Sequence, residues 1–255
     1  MLKETPMTFE IVAHRGATTD YPENTLPAFQ RAIELGADII EMDVRLTKDH
    51  VPVIYHWFYL QEKTTLTGAI FNYTYRELQA ATVLDHNNHP VSGCYIPTLY
   101  QVLNTFGGKI GFEIEIHGPE INAPAMIGGV LSGFGNLWKD ITVTSYEPEL
   151  LMEIKRLYPG LTVDLLIHRS KSWMERDVAE YIALNKAQLT HARAVHMHLS
   201  QLSSEIIAHF RHHGIDVYTW EINDEESLCA CVELGIKRIA TDDIRTAVKF
   251  RESQR

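Results

Sequence analysis

His14, Arg15 and Gly16 close one short apolar run, Pro22-Glu23-Asn24-Thr25 follows, and Glu41-Met42-Asp43 lies in a second run, all within thirty residues. An imidazole, a guanidinium and two carboxylates so placed have the chemistry of a metal-assisted phosphate site. Glu41 and Asp43 are two apart on a stretch, Asp38 to Val44, that reads as a strand, and side chains two apart on a strand point to one face. Both carboxylates can therefore share one cation.

Such residues need elements to hold them. Short apolar runs ending in polar residues alternate with segments of helical period, the pattern of β/α units around a parallel sheet. Eight strands are predicted: Glu10 to His14, Asp38 to Val44, Lys109 to Ile116, Ile141 to Tyr146, Thr162 to His168, Ala194 to Leu199, Asp216 to Ile222 and Lys237 to Thr241. Helices are predicted over Asn24 to Leu35 and Asp224 to Leu234, each stopped by a glycine that tolerates a left-handed turn, and over Glu149 to Leu157, Ser203 to His212 and Ile244 to Phe250. Val51 to His56 follows the second strand after only six residues, whereas a parallel neighbour needs a crossover of about a dozen or more. It is therefore read as an antiparallel hairpin arm on the rim, bringing His56 back toward the ends of the first strands. From Trp57 to Ile96 no further strand and helix unit is evident beyond a helical stretch near Tyr75 to Ala81, so this segment is read as a small insertion over the mouth. The fold expected is α/β, one (β/α)8 TIM barrel spanning residues 1 to 255 as a single domain, with the rim hairpin and the insertion at about 57 to 96.

The whole-chain properties agree with an enzyme of this kind. A length of 255 residues with 45% hydrophobic content suits one compact barrel. The formal charge of −10 argues against a nucleic-acid binder, which needs a basic surface to displace counterions. A small anionic substrate then needs a local cation, as a metal ion or Arg15 would supply. Cys94, Cys229 and Cys231 form neither a zinc pattern nor an even disulfide framework, and Cys229 and Cys231 read as helical packing residues. Residues 1 to 10 lack a basic start followed by an apolar stretch, and no run of about eighteen apolar residues occurs, so the expectation is a cytoplasmic protein with no transmembrane segment.

Active sites of such barrels lie at the carboxyl ends of the strands, which here offers His14, Arg15, Glu41, Asp43, Glu115, Ser145, His168, His198, Trp220 and Asn223. On the third strand Glu113, Glu115 and His117 alternate with Phe112, Ile114 and Ile116, so the polar set faces the barrel axis. Acids lining a barrel are costly unless something positive compensates. Glu41, Asp43 and Glu115 make an oxygen-only set suited to Mg²⁺ or Ca²⁺ rather than zinc. His196 and His198, two apart on the sixth strand, are read as an interior hydrogen-bonded pair. Trp57, Phe58, Tyr59 and Leu60 are either core or an apolar wall for a bulky substrate.

These motifs resemble the glycerophosphodiester phosphodiesterase family. His-Arg-Gly at 14 to 16, Pro-Glu-Asn-Thr at 22 to 25, Glu-Met-Asp-Val at 41 to 44, Thr-Lys-Asp at 47 to 49, the run Val-Pro-Val-Ile-Tyr-His to 56, Ile-Pro-Thr-Leu at 96 to 99 and Glu-Ile at 115 to 116 stand in family order. Weaker matches at Ser145, Trp220 to Asn223 and Thr241-Asp242 extend the likeness over residues 9 to 249. The resemblance implies that Glu41, Asp43 and Glu115 hold a divalent cation, that His14 and His56 act as acid and base, and that Arg15 holds the phosphate. It also implies a substrate-side place for Trp220, and for His117 where the family usually has lysine; the family likewise usually has His-Asp where this chain has His56-Trp57. The activity implied is hydrolysis of glycerophosphodiesters to glycerol 3-phosphate and an alcohol, in some members through a cyclic phosphate. Two alternatives stand beside it: a lysophospholipase D or sphingomyelinase D-like enzyme acting on a bulkier lysolipid, and a non-catalytic phosphate-ligand binding protein.

Overall fold

A computed structural model describes residues 9–254. The absent leader read from the first ten residues, and the outer ends of the predicted domain, rest partly on positions outside the described residues.

The strands are β1 (Glu10–Ala13), β2 (Ile39–Leu46), β3 (Pro52–Ile54), β4 (Gly111–Ile116), β5 (Ile141–Ser145), β6 (Thr162–Leu166), β7 (Ala194–His198), β8 (Asp216–Trp220) and β9 (Arg238–Thr241). The α-helices are α1 (Leu26–Leu35), α2 (Tyr75–Leu78), α3 (Leu99–Phe106), α4 (Ala123–Ser132), α5 (Pro148–Leu157), α6 (Arg176–Thr190), α7 (Ser204–His212), α8 (Glu225–Glu233) and α9 (Ile244–Ser253). The parallel strands run in the order β1-β9-β8-β7-β6-β5-β4-β2, and β2 returns to pair with β1, closing an eight-stranded parallel barrel. β3 lies antiparallel on β2, with Val44 opposite Ile54 and Leu46 opposite Pro52, as the short connection requires.

Alternation along each strand divides its side chains between two environments. On β2, Ile40, Met42, Val44 and Leu46 join the large core between strands and helices, while Glu41, Asp43 and Arg45 belong to the other face; all eight residues are buried. Inside the barrel, Val12, Ile39 and Ala240 form only a small apolar layer, against which Trp220 packs. Much of the remaining interior is ionic. Arg238 donates to Glu10 and to the buried Glu113, and Arg193 pairs with the buried Asp164, which also meets His196. His196 is thus the expected interior histidine. His198 is not its partner: its Nδ1 turns to Ser200 beyond the strand end.

Helix starts follow capping chemistry to within two residues. Thr25 accepts from the Ala28 amide, so α1 begins at Leu26, after an Asn24 whose φ of 58° is left-handed, and it ends at Gly36 with φ 90°. Pro148 opens α5 one residue before the predicted start because proline suits the first helical turn. Helices α3, α4 and α6 had no predicted counterpart. In α4 two glycines interrupt the periodicity, and Gly128 is needed there because a Cβ would fall 2.0 Å from the Tyr158 ring.

The segment between β3 and α3 carries two single-turn 3₁₀ helices, α2 and isolated bridges. It has its own apolar cluster, in which Leu60, Ile70, Leu78, Val83, Cys94 and Ile96 pack on Val53 and Tyr55 of the hairpin arm. Trp57 to Leu60 do not form one wall. Leu60 is in that cluster, the Trp57 indole donates to Glu23, Tyr59 is exposed, and only Phe58 faces a cavity of the barrel mouth. The chain there bends at Phe58 and enters a 3₁₀ turn at Leu60, which sends successive side chains in different directions. Of the helical cysteines, Cys231 is buried as expected, but Cys229 is exposed on the outer face of α8.

Candidate active site

At the end of β1 the chain turns sharply through Arg15, with φ 57°, and Gly16, with φ 89°. Glycine is required at 16, since an added Cβ would lie 2.9 Å from Ala28 in a left-handed conformation. The turn aims the Arg15 backbone N–H at Glu41 Oε2, 2.8 Å away, and brings the guanidinium Nε to 3.1 Å from Asp43 Oδ2. Arg15 Nη1 also reaches Glu23 Oε1 at 3.4 Å. One arginine therefore ties β1 to both acids of β2.

Register brings in the third acid. β2 and β4 pair in parallel with Asp43 opposite Glu115, so the two carboxylates leave neighbouring strands at one level. Oxygens of Glu41, Asp43 and Glu115, one from each, lie within 4.8 Å of one another. Asp43 is 1% exposed; it accepts from Asn24 Nδ2 at 2.7 Å and meets His117 Nε2 at 2.7 Å, and the same nitrogen is 2.9 Å from Glu115 Oε1. Glu41 Oε1, by contrast, is buried with no hydrogen-bond partner. An unpartnered buried carboxylate oxygen beside two other acids is an open ligand position that a divalent ion would fill. The donor set therefore fits a hard cation.

The same crowding sets the proton affinities. Burial, then the neighbouring Asp43 and Glu115, push the Glu41 carboxyl well above the usual range. Burial acts likewise on Asp43, but the His117 hydrogen bond and the Arg15 charge outweigh it and hold that carboxyl well below its ordinary value. For His117 burial opposes the charge, yet the Asp43 and Glu115 carboxylates hold its imidazolium up to about 9. His56 is the reverse case. Burial dominates, and its imidazole is pushed down to about 3.

His56 reaches the site from the hairpin arm as expected. The Arg45 guanidinium, itself stacked on Phe58, donates from Nε to the His56 carbonyl at 2.7 Å. The His56 ring meets the His117 ring edge to face, centroids 4.9 Å apart, and its Nδ1 is buried without a partner. Across the mouth, His14 Nδ1 lies 2.8 Å from Asp242 Oδ1. His14, Arg15, Glu41, Glu115, His56, His117 and Trp220 all line one cavity of about 180 Å³, and the buried Asp43 lies behind that lining, hydrogen-bonded to Asn24 and His117 and ion-paired with Arg15. A second and wider cavity of about 760 Å³ adjoins it, lined by Arg45, Phe58, His168 and Leu150 among others, and shares His56, Glu115, His117 and Tyr146 with the first.

Four strand-end candidates have other places. Ser145 is fully buried and donates to the Ile116 carbonyl, tying β5 to β4. His168 stacks on Tyr146 at 4.0 Å on the wall of the wider cavity. His198 packs beside Trp220. Asn223 acts through its neighbour: its Oδ1 accepts from the Asp242 backbone N–H and its Nδ2 donates to Asp242 Oδ2, which orients the carboxylate facing His14. Two residues of the site escaped the sequence reading. Asn24 and Asp242 both lie inside quoted motifs, but only the folded chain brings Asn24 onto Asp43 and Asp242 onto His14.

The model of the glycerophosphoryl diester phosphodiesterase family matches residues 14–246. The chain is 28% identical over 245 residues to a glycerophosphodiester phosphodiesterase of Caldanaerobacter subterraneus, a match covering 94% of this chain and 96% of that one. Among solved structures, glycerophosphodiester phosphodiesterase from Thermotoga maritima is similar with a TM-score of 0.74 at 26% identity, over 94% of this chain and 97% of that one. An Oleispira antarctica phosphodiesterase, solved in complex with the product sn-glycerol-3-phosphate, shares the fold with a TM-score of 0.82 at 22% identity, over 95% and 96% of the two chains. With a closed parallel barrel, three converging carboxylates and a family match over nearly the whole length, the chain belongs to the glycerophosphoryl diester phosphodiesterase family, hydrolases that act on phosphodiester bonds.

Proposed function

We propose that this chain, acting as one barrel domain, hydrolyses a glycerophosphodiester to glycerol 3-phosphate and an alcohol with the help of Mg²⁺ or Ca²⁺. The observation that carries the reading is the meeting of Glu41, Asp43 and Glu115 around an unpartnered Glu41 oxygen, in a cavity flanked by His14 and His56. Those three carboxylates would hold the ion, which when bound neutralises charge on the phosphoryl oxygens and on an attacking oxygen. Arg15 and a cationic His117 bind the phosphate from the β1 and β4 sides. His56, kept neutral by burial, accepts a proton from the nucleophilic oxygen. His14, oriented by Asp242, gives a proton to the departing alcohol. Trp220 closes the wall at the end of β8.

Glu41→Gln, Asp43→Asn and Glu115→Gln are each expected to abolish metal-dependent release of alcohol from a glycerophosphodiester while circular dichroism stays native. His14→Ala and His56→Ala should each lower kcat at least about a hundredfold, the lower end of what one positioned proton-transfer group contributes. Full activity in any two of the carboxylate variants rejects the three-acid site.

A bulkier alcohol is the second reading, favoured by the wider cavity where Phe58, 43% exposed, and Leu150 offer apolar surface beside His56 and His117. Turnover of glycerophosphocholine and lysophosphatidylcholine is the discriminating measurement. A strong preference for the former rejects the lysolipid.

A further inference from the structure

Two groups of metal-ligating side chains meet in this site, and they share one residue. The first is the three carboxylates. The second is Asp43, His56 and His117, of which one carboxylate oxygen and one nitrogen of each imidazole lie within 4.8 Å of one another. We propose that Asp43, His56 and His117 form a second cation site, selective for Zn²⁺ and similar borderline ions, next to the all-oxygen site and joined to it through Asp43.

The geometry is particular to this chain's residues. His117 Nε2 already sits between Asp43 Oδ1 and Glu115 Oε1, at 2.7 and 2.9 Å. The backbone holds it there, because its N–H donates to the Val44 carbonyl and extends the β2 to β4 ladder. His56 arrives from the antiparallel arm, its carbonyl fixed by Arg45, with a buried Nδ1 that nothing in the site satisfies. The two rings stand edge to face at 81° to each other, and one nitrogen of each still lies within 4.8 Å of the other and of an Asp43 oxygen. Two imidazoles and a carboxylate suit zinc, whereas carboxylates alone suit magnesium and calcium. A lysine at 117, the residue the family resemblance leads one to expect, has no second ring to offer and carries a fixed charge in its place. Binding of the ion releases to solvent the proton His117 shares with the carboxylates and occupies a His56 lone pair. The site is therefore inhibitory: it rests on the proposed role of His56 as proton acceptor, and zinc removes that acceptor.

The experiment uses the metal-stripped full chain, titrated calorimetrically with Ca²⁺ alone and then with Zn²⁺ at saturating Ca²⁺, with the zinc environment read by X-ray absorption. The wild type is expected to take one Zn²⁺ per chain with two imidazoles in its coordination shell while retaining Ca²⁺. Outer-shell partners alone are worth 10- to 100-fold in metal affinity, so loss of a ligand in His117→Lys should weaken Zn²⁺ at least about a hundredfold and leave Ca²⁺ bound. His56→Gln should act in the same way, and Glu41→Gln should weaken Ca²⁺ while zinc keeps its imidazole shell. Thermal unfolding establishes that each variant is folded. Zinc that binds equally well to both histidine variants, that shows no imidazole scattering, or that displaces Ca²⁺ ion for ion overturns the second site. If Ca²⁺ fails to bind the wild type while zinc binds with two imidazoles, the three-carboxylate reading falls and the second site stands.

Discussion

Asp43 is the most heavily engaged carboxylate of the site, contacted by Asn24, Arg15 and His117, and its neighbour Glu41 is among the least satisfied. Two carboxyl groups two positions apart are thus pushed in opposite directions, because one meets cations and donors while the other meets mainly burial and like charge. A second residue of this kind lies deeper. Asp164 is fully buried, and although burial would raise its carboxyl, His196 and Arg193 outweigh it and the group is held low. A carboxyl lowered on folding adds stability above its unfolded value, about 3.9, and that contribution is lost as pH falls through the lower folded value. Asp164→Asn should therefore cost on the order of 3 kcal/mol at pH 7, as breaking a buried pair does. The gap to wild type should narrow below about pH 4, a trend that urea unfolding at several pH values measures. A gap that stays constant with pH would show that Asp164 contributes through packing and not through its charge.

At the scale of elements, the short link between β2 and β3, Thr47 to Val51, decides more than its length suggests. A link that short forces an antiparallel return, and that return is what carries His56 to the acids of β2 and β4. The strand positions were legible because the carboxyl ends of the apolar runs carry their polar residues in a simple alternation: Glu41 and Asp43 on β2, Glu115 on β4. The helices were less so. α1 and α8 announce themselves by Thr25 and Asp224 caps and by closing glycines, whereas α4 hides behind Gly128 and Gly129, which are dictated by the approach of Tyr158 and not by helix propensity. The aromatic run at 57 to 59 carries no periodicity that could say which ring faces the mouth, and its three side chains go to a carboxylate, a cavity and solvent.

For the molecule as a whole, closure of the barrel is maintained from inside by ions as well as by apolar layers. Arg238 of β9 reaches Glu10 on the adjacent β1 and Glu113 on β4, and it is 7% exposed. Replacing it with leucine leaves Glu113 buried without its cation, which should cost about 3–5 kcal/mol. Chemical denaturation of Arg238→Leu and of the double variant Arg238→Leu/Glu113→Leu tests the reason: the double variant should recover much of the loss, since removing both charges ends the desolvation penalty. If the double variant is less stable than the single one, the interior pair is not the cause. No helix among the described residues is long and apolar enough to cross a membrane.

The sequence by itself determined the barrel, the hairpin on its rim and the identity of the acids, histidines and arginine at the strand ends, because period, capping and short-link constraints are local and are written in neighbouring residues. Only the tertiary structure decided how those groups are paired. That Asn24 and Arg15 grip Asp43, that Asp242 faces His14 across 228 positions, and that His117 sits between two carboxylates next to His56 all depend on strand register and on the closing of β1 onto both β2 and β9. Register and closure are set by the packing of the whole ring, and no local stretch of sequence encodes the resulting distances.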